Sequence, residues 1–89
     1  MLLLPATITL RESRDTLQLL TQALQSAPGE EVVIDASPLA QFDTSALAVL
    51  LECRRLAGAW GKGFSVRQAP PKLAELARLY GVDALLFAD

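Results

Sequence analysis

The feature that most constrains this chain is a short, almost uninterrupted run of strand-forming residues, Glu31–Ala36 (EVVIDA). β-Branched and apolar residues without alternation are typical of a strand covered on both faces, as in a parallel sheet flanked by helices. Helical patterns lie on both sides of this run, one starting near Ser13 and one near Asp43. Because strands that alternate with helices are joined by right-handed crossovers, this order predicts an α/β fold with a mostly parallel sheet.

The remaining patterns fit one domain over residues 1–89, with the order ββαβαβα. Leu17, Leu20 and Leu24 recur at helical spacing, and FSVRQ alternates apolar and polar residues as a strand does. The tail VDALLFAD is expected to fold back through Leu85, Leu86 and Phe87. In the first half we expect strands in Met1–Leu4 and Ala6–Leu10, a helix capped by Ser13 and stopped by Pro28-Gly29, and the strand Glu31–Ala36. A loop from Ser37 to Phe42 should follow, then a helix from Asp43 to about Gly61 and a strand Phe64–Gln68. The last helix is expected from Pro70-Pro71 to Gly81 and includes Leu73, Leu76, Leu79 and Tyr80.

Composition excludes several classes of function. The 8 Lys and Arg against 10 Asp and Glu give a net charge of −2 without a basic cluster, so no nucleic-acid partner is expected. The sequence has no histidine, the commonest metal ligand and general base, and its single cysteine, Cys53, suits a reducing compartment. The apolar start MLLL is too short to span a bilayer. These observations predict a cytoplasmic protein that binds no metal or cofactor and does not insert into a membrane.

The long helix predicted from Asp43 has two contrasting faces. At 100° per residue its core side carries Ala46, Val49, Leu50, Cys53, Leu56, Ala57 and Trp60. Its opposite side carries Thr44, Ala48, Leu51 and Arg55, flanked by Leu47, where a solvated helix would carry Lys, Glu and Gln. Small and apolar residues there favour close docking of another protein, with coverage by the same chain as the alternative. Because 52% of the chain is hydrophobic, a homodimer through this face is a further expectation.

The hydroxyl pair at the start of this helix allows two interpretations. Asp43 or Thr44 can cap the helix by accepting a main-chain N–H group. Thr44 or Ser45 can instead accept a phosphoryl group, because a helix N-terminus stabilises an anion. Both roles can coexist, and on the wheel Ser45 lies about 100° away from the side that carries Thr44.

Enzymatic interpretations have little support from the residues. Asp35 at a strand end and Asp43 at a helix start form the one carboxylate pair that could hold Mg²⁺ for phosphoester hydrolysis. We expect instead that Asp35 accepts loop amides and Asp43 supports the helix start. Ser45 has no histidine to activate it, and no glycine-rich phosphate loop is present, so the chain is predicted not to be an enzyme.

The motif Phe42-Asp43-Thr44-Ser45-Ala46-Leu47, with IDAS before it and LYGVDALL after it, resembles the STAS domain family of sulfate transporters and anti-sigma-factor antagonists. The resemblance covers nearly the whole chain and implies a compact, non-catalytic protein-binding module. Ala46 stands where family members often have glycine, which favours a plain helix here.

Two kinds of partner follow from the resemblance. Asp43-Thr44, LAVLL and LARLYGV are similar to the MlaB-like branch, a subunit of the bacterial ABC transporter that moves phospholipid to maintain outer-membrane lipid asymmetry. In that branch the threonine after the aspartate contacts the ATPase subunit, which implies an ATPase partner at Thr44. In the sigma-regulating branch a serine kinase phosphorylates this hydroxyl and breaks binding to an anti-sigma factor. A phosphorylation-switched antagonist, or a chemotaxis-linked protein with Thr44 or Ser45 as acceptor, is therefore the alternative.

Overall fold

The computed structural model describes residues 2–26 and 29–87. The predictions that concern Met1, Pro28 and the last two residues of the tail lie outside these ranges. The elements are β1 (Leu2–Leu3), β2 (Thr7–Ile8), α1 (Ser13–Ser26), β3 (Glu31–Asp35), β4 (Gln41–Phe42), α2 (Thr44–Ala59), β5 (Gly63–Arg67), α3 (Pro71–Leu79) and α4 (Asp83–Leu86).

The strands form two small parallel sheets, which confirms the predicted fold class. One sheet has the order β1-β3-β5 and the other pairs β2 with β4. The two N-terminal strands therefore join different sheets on either side of Pro5. The predicted loop from Ser37 to Phe42 is wrong at its end, since Gln41–Phe42 is β4. The main-chain N–H groups of Ala40 and Gln41 donate to the carbonyl of Ala6 at 2.8 and 2.9 Å, which holds the end of this loop beside the start of β2.

Burial alternates along β3, so only one face of this strand is fully covered. Val32 and Ile34 are buried, whereas Val33 is half-buried and Glu31 is exposed. The prediction of a strand covered on both faces is therefore wrong. Valine and isoleucine have high strand propensity in either environment, so an unbroken β-branched run does not report how many faces are buried.

Helix α1 begins after a tight turn closed by Glu12. Its Oε1 accepts hydrogen bonds from the main-chain N–H of Thr9 at 3.0 Å and from the Thr9 hydroxyl at 2.6 Å. This bonding by Thr9 holds the pKa of Glu12 below its ordinary value. Ser13 is not the cap that we predicted, because it is already helical and its hydroxyl donates to the carbonyl of Leu10.

The C-terminal helices complete the core with only part of their apolar residues. Leu73 and Leu86 are buried, whereas Leu79 and Tyr80 are 79% and 60% exposed despite their helical spacing. Gly81 follows α3 with φ +73°, the left-handed conformation predicted for this position. The chain turns there into α4, which contacts both α2 and α3.

Candidate functional site

Asp43 is the N-cap of α2, as predicted. Its Oδ1 accepts the main-chain N–H of Ser45 at 2.8 Å, and its Oδ2 accepts that of Leu10 at 3.1 Å. Hydrogen bonding from Ser45, and then from Leu10, holds the pKa of Asp43 below its ordinary value. The carboxylate therefore fixes the start of α2 against the segment that precedes α1.

Behind this cap, the two adjacent hydroxyls line different grooves. Thr44 is exposed and lies in a groove of about 310 Å³ between α2 and the α3–α4 turn, here called the Thr44 groove. Ser45 is half-buried and lies in a groove of about 350 Å³ between α1 and α2, here called the Ser45 groove. The Thr44 groove is lined by Thr44, Leu47, Ala48, Leu51, Tyr80 and Val82. The Ser45 groove is lined by Leu10, Ser13, Arg14, Leu17, Ser45, Ala48, Val49 and Glu52.

Four of the five residues predicted to bind a partner meet in the Thr44 groove. Ala48 is exposed and Leu51 is half-buried. Leu47 is only 4% exposed, so it forms a wall of the groove and belongs to the core. Arg55 does not line the groove but lies further along α2, exposed, with its Nε donating to the carboxylate of Glu52.

The opposite wall of the groove comes from residues that the sequence did not single out. Tyr80 and Val82 flank Gly81 in the turn between α3 and α4. The sequence predicted Tyr80 inside the last helix, but α3 ends at Leu79 and Tyr80 is its C-cap residue. The signal available in the sequence was a tyrosine directly before Gly81, the residue predicted to follow the helix.

The core face of α2 agrees with the helical wheel except near its end. Ala46, Val49, Leu50, Cys53 and Ala57 are buried. Burial raises the pKa of the Cys53 thiol to about 11, so the group is a small apolar core residue rather than a reactive thiol. Trp60 was predicted on this face but is the C-cap residue and 37% exposed.

The carboxylates of Asp35 and Asp43, the pair considered for Mg²⁺, are engaged with main-chain groups. Asp35 Oδ1 accepts the N–H of Ser37 at 2.9 Å, and this bond holds the pKa of Asp35 below its ordinary value. Asp35 therefore binds a loop amide, as expected. Within residues 2–26 and 29–87, no three or more His, Cys, Asp or Glu side chains are grouped so as to hold a metal ion. Across the same residues, no helix has both the length and the apolar character needed to cross a membrane.

Comparison with known proteins agrees with the motif around Asp43 and Thr44. The family model described as "Mlab, STAS domain" matches residues 2–87. No curated protein matches the chain. STAS domains are in general non-catalytic protein-interaction modules. The match spans both sheets and all four helices of the structure, and the chain thus belongs to the STAS domain family, with the MlaB-like type of this domain as its match.

Proposed function

We propose that this protein is the cytoplasmic MlaB-like subunit of a phospholipid-transporting ABC complex, where it binds the ATPase through the Thr44 groove. The family description supports the transporter, and the Thr44 groove supports the place of contact. In this proposal the domain performs no chemistry. It stabilises the ATPase assembly that maintains outer-membrane lipid asymmetry.

The chemistry of the Thr44 groove is the observation that carries the proposal. Its lining has no charged side chain, and the only polar side-chain groups are the hydroxyls of Thr44 and Tyr80. Covering such a groove removes apolar surface from water without stranding a buried charge, which favours association. Thr44 begins α2 and lines the groove, so a partner bound there would cover its hydroxyl.

Co-purification with an Mla-type ATPase tests this contact through two variants of matched chemistry. Thr44→Glu puts a carboxylate into the apolar groove, where binding would desolvate the charge, so we expect the ATPase to be lost. Ser45→Glu puts the same charge one residue further along the same helix turn, but in the Ser45 groove. Both positions are in the first turn of α2, so the helix dipole favours either carboxylate. We expect Ser45→Glu to retain the ATPase.

The result that would overturn this site is equally specific. If Thr44→Glu retained the ATPase as well as the wild-type chain, the Thr44 groove would not be the docking site. If the wild-type chain failed to bind any Mla-type ATPase, the transporter role itself would be wrong.

The exposure of Thr44 also favours a second candidate function, a phosphorylation-switched antagonist. Thr44 is exposed and Ser45 is half-buried, so Thr44 is the more accessible phosphoacceptor. A phosphate there would lie near the N-terminal N–H groups of α2 and charge the groove, and so would release an anti-sigma factor. Incubation with a serine kinase and ATP, followed by mass spectrometry, should place the phosphate on Thr44. An unmodified chain would count against this alternative.

A further inference from the structure

Strand β5 lies at an open edge of its sheet. Among the described residues it pairs with β3 alone, and it packs chiefly against β3 and α2. The N–H of Gly63 and the C=O of Arg67 both bond to the β3 side, at 2.7 and 2.9 Å. Because successive residues of a strand direct their main-chain groups to opposite sides, Phe64 and Val66 direct theirs away from β3. The edge therefore offers two residues whose N–H and C=O groups can pair with another strand.

A buried hydroxyl stands at the centre of this edge. Ser65 Oγ is buried, and within the part of the chain that the structure describes no group hydrogen-bonds with it. Buried hydroxyls in proteins normally have a hydrogen-bond partner, so the Ser65 hydroxyl is an exception that needs an explanation. A cavity of about 170 Å³ runs beside the edge and is lined by Ser65–Ala69, Ala74 and Phe87.

Opposite charges occupy the two ends of the same edge. Gly63 is in register with Glu31, whose carboxylate lies over it so closely that a Cβ on Gly63 would overlap Oε1. Arg67 is exposed at the other end of β5, in register with Asp35, whose carboxylate accepts the main-chain N–H of Ser37. Since side chains two residues apart share a face, Gly63, Ser65 and Arg67 all lie on the side of the sheet that carries Glu31. The edge is thus complementary to a second copy that runs in the opposite direction.

We propose that two copies of this chain associate by antiparallel pairing of their β5 edges about a two-fold axis at Ser65. Phe64 of each copy then lies opposite Val66 of the other, and each such pair exchanges main-chain hydrogen bonds. The two Ser65 residues form the central non-hydrogen-bonded pair, with Cα atoms about 4.5 Å apart, and a rotation of each side chain about its Cα–Cβ bond would bring the two hydroxyls together. Arg67 comes opposite Gly63 of the second copy, where the missing side chain leaves room for the second copy's Glu31.

A cysteine cross-link tests the position of the axis. Cα atoms about 4.5 Å apart are within disulfide range, so Ser65→Cys should give a covalent dimer under mild oxidation, seen on a non-reducing gel. Val33→Cys is the matched control. It shares a face with Ser65, but each copy places it one further strand spacing, about 4.8 Å, from the axis. We expect this variant and the wild-type chain, whose Cys53 is buried, to remain uncross-linked.

Charge reversal at exposed positions tests the same contact without touching the core. Arg67→Glu should raise the dimer dissociation constant about ten-fold in sedimentation equilibrium, because it sets two like charges together at both ends of the interface. Adding Glu31→Arg should restore the wild-type value. Circular dichroism checks the folding of each variant. If Ser65→Cys fails to fold, the dissociation constants of the Arg67→Glu and Arg67→Glu/Glu31→Arg variants test the proposal instead.

Three outcomes would overturn the proposal. The first is a wild-type chain that stays monomeric at high concentration. The second is a folded Ser65→Cys variant that is not cross-linked. The third is a dimer that is unaffected by Arg67→Glu but abolished by Leu51→Glu, which would place the contact on α2.

Discussion

Asp43 joins two distant parts of the chain through the two oxygens of one carboxylate. The cap bond to Ser45 spans two residues and could be predicted from the motif, because capping depends on neighbouring residues. The bond to Leu10 spans 33 residues and leaves no local signal in the sequence. The hydrogen-bond partner of a residue could thus be predicted where it is near in sequence, but not where the fold brings a distant residue to it.

Asp43→Asn should destabilise the fold at neutral pH, and the loss should disappear in acid. An asparagine keeps one acceptor oxygen for the N–H of Ser45 but offers an NH₂ group where Leu10 needs an acceptor. The pKa of Asp43 is lowered in the folded state, so its stabilisation is present above the unfolded pKa and is lost as pH falls through the folded pKa. Urea midpoints of both proteins at pH 7 and at about pH 2 measure this difference.

Comparing the two proteins at each pH cancels the titration of Asp35 and Glu12, whose pKa values are lowered as well. A difference between wild type and Asp43→Asn that stayed constant down to about pH 2 would show that the carboxylate charge does not stabilise the cap.

At the scale of elements, α2 is covered from several directions at once. It contacts α1, β5 and α4, so its buried surface is wider than the half-cylinder that a helical wheel assigns to the core. Leu47 is buried for this reason, although it flanks the side that was predicted to face outward. Periodicity predicts the central core positions of a helix, but the limits of the buried face depend on neighbours that come later in the chain.

The adjacent leucines of α2 should separate stability from binding. Leu50 is fully buried, and Leu50→Ala should cost about 2–5 kcal/mol of unfolding free energy through lost burial and a cavity. Leu51 is half-buried in the Thr44 groove, and Leu51→Ala should cost about 1 kcal/mol while reducing ATPase retention. Urea unfolding and co-purification measure the two effects. Equal losses of stability would contradict the different burial of the two side chains.

Two glycines should respond to alanine in opposite directions. Gly58 is inside α2, and a Cβ there would meet nothing within 4 Å, so Gly58→Ala should stabilise the fold by about 0.5–1 kcal/mol. Gly81 has φ +73°, which strains any residue with a Cβ, so Gly81→Ala should destabilise it by about 1 kcal/mol. Thermal unfolding of both variants provides the measurement. A neutral Gly81→Ala would mean that the α3–α4 turn can relax to another conformation.

The short elements and helix ends were the parts that the patterns missed. Strand β4 has only two residues, too few to show alternation, and it exists because β2 pairs with it. Tyr80 continues the apolar spacing of α3 in the sequence, yet the helix ends one residue earlier. A two-residue strand and a helix end are both decided by tertiary contacts rather than by local propensity.

For the molecule as a whole, the proposed docking site is a product of the fold. Thr44 and Leu51 on α2 meet Tyr80 and Val82, which follow 29 to 38 positions later, only because α4 packs against α2. The sequence could predict the α2 side of the groove, since one helix carries it. The second wall, Tyr80 and Val82, could not be predicted because it depends on how the chain turns at Gly81 between α3 and α4.

The two walls of the Thr44 groove predict which parts of the chain a bound ATPase should protect from hydrogen exchange. In hydrogen–deuterium exchange, residues 44–51 and residues 80–82 should slow together when an Mla-type ATPase is added, because both segments line the Thr44 groove. Residues 10–17, which line the Ser45 groove with the other side of α2, should exchange as in the free chain. Thr44→Glu should remove the protection of both segments. Slower exchange at residues 10–17 with no change at residues 80–82 would instead move the contact to the Ser45 groove.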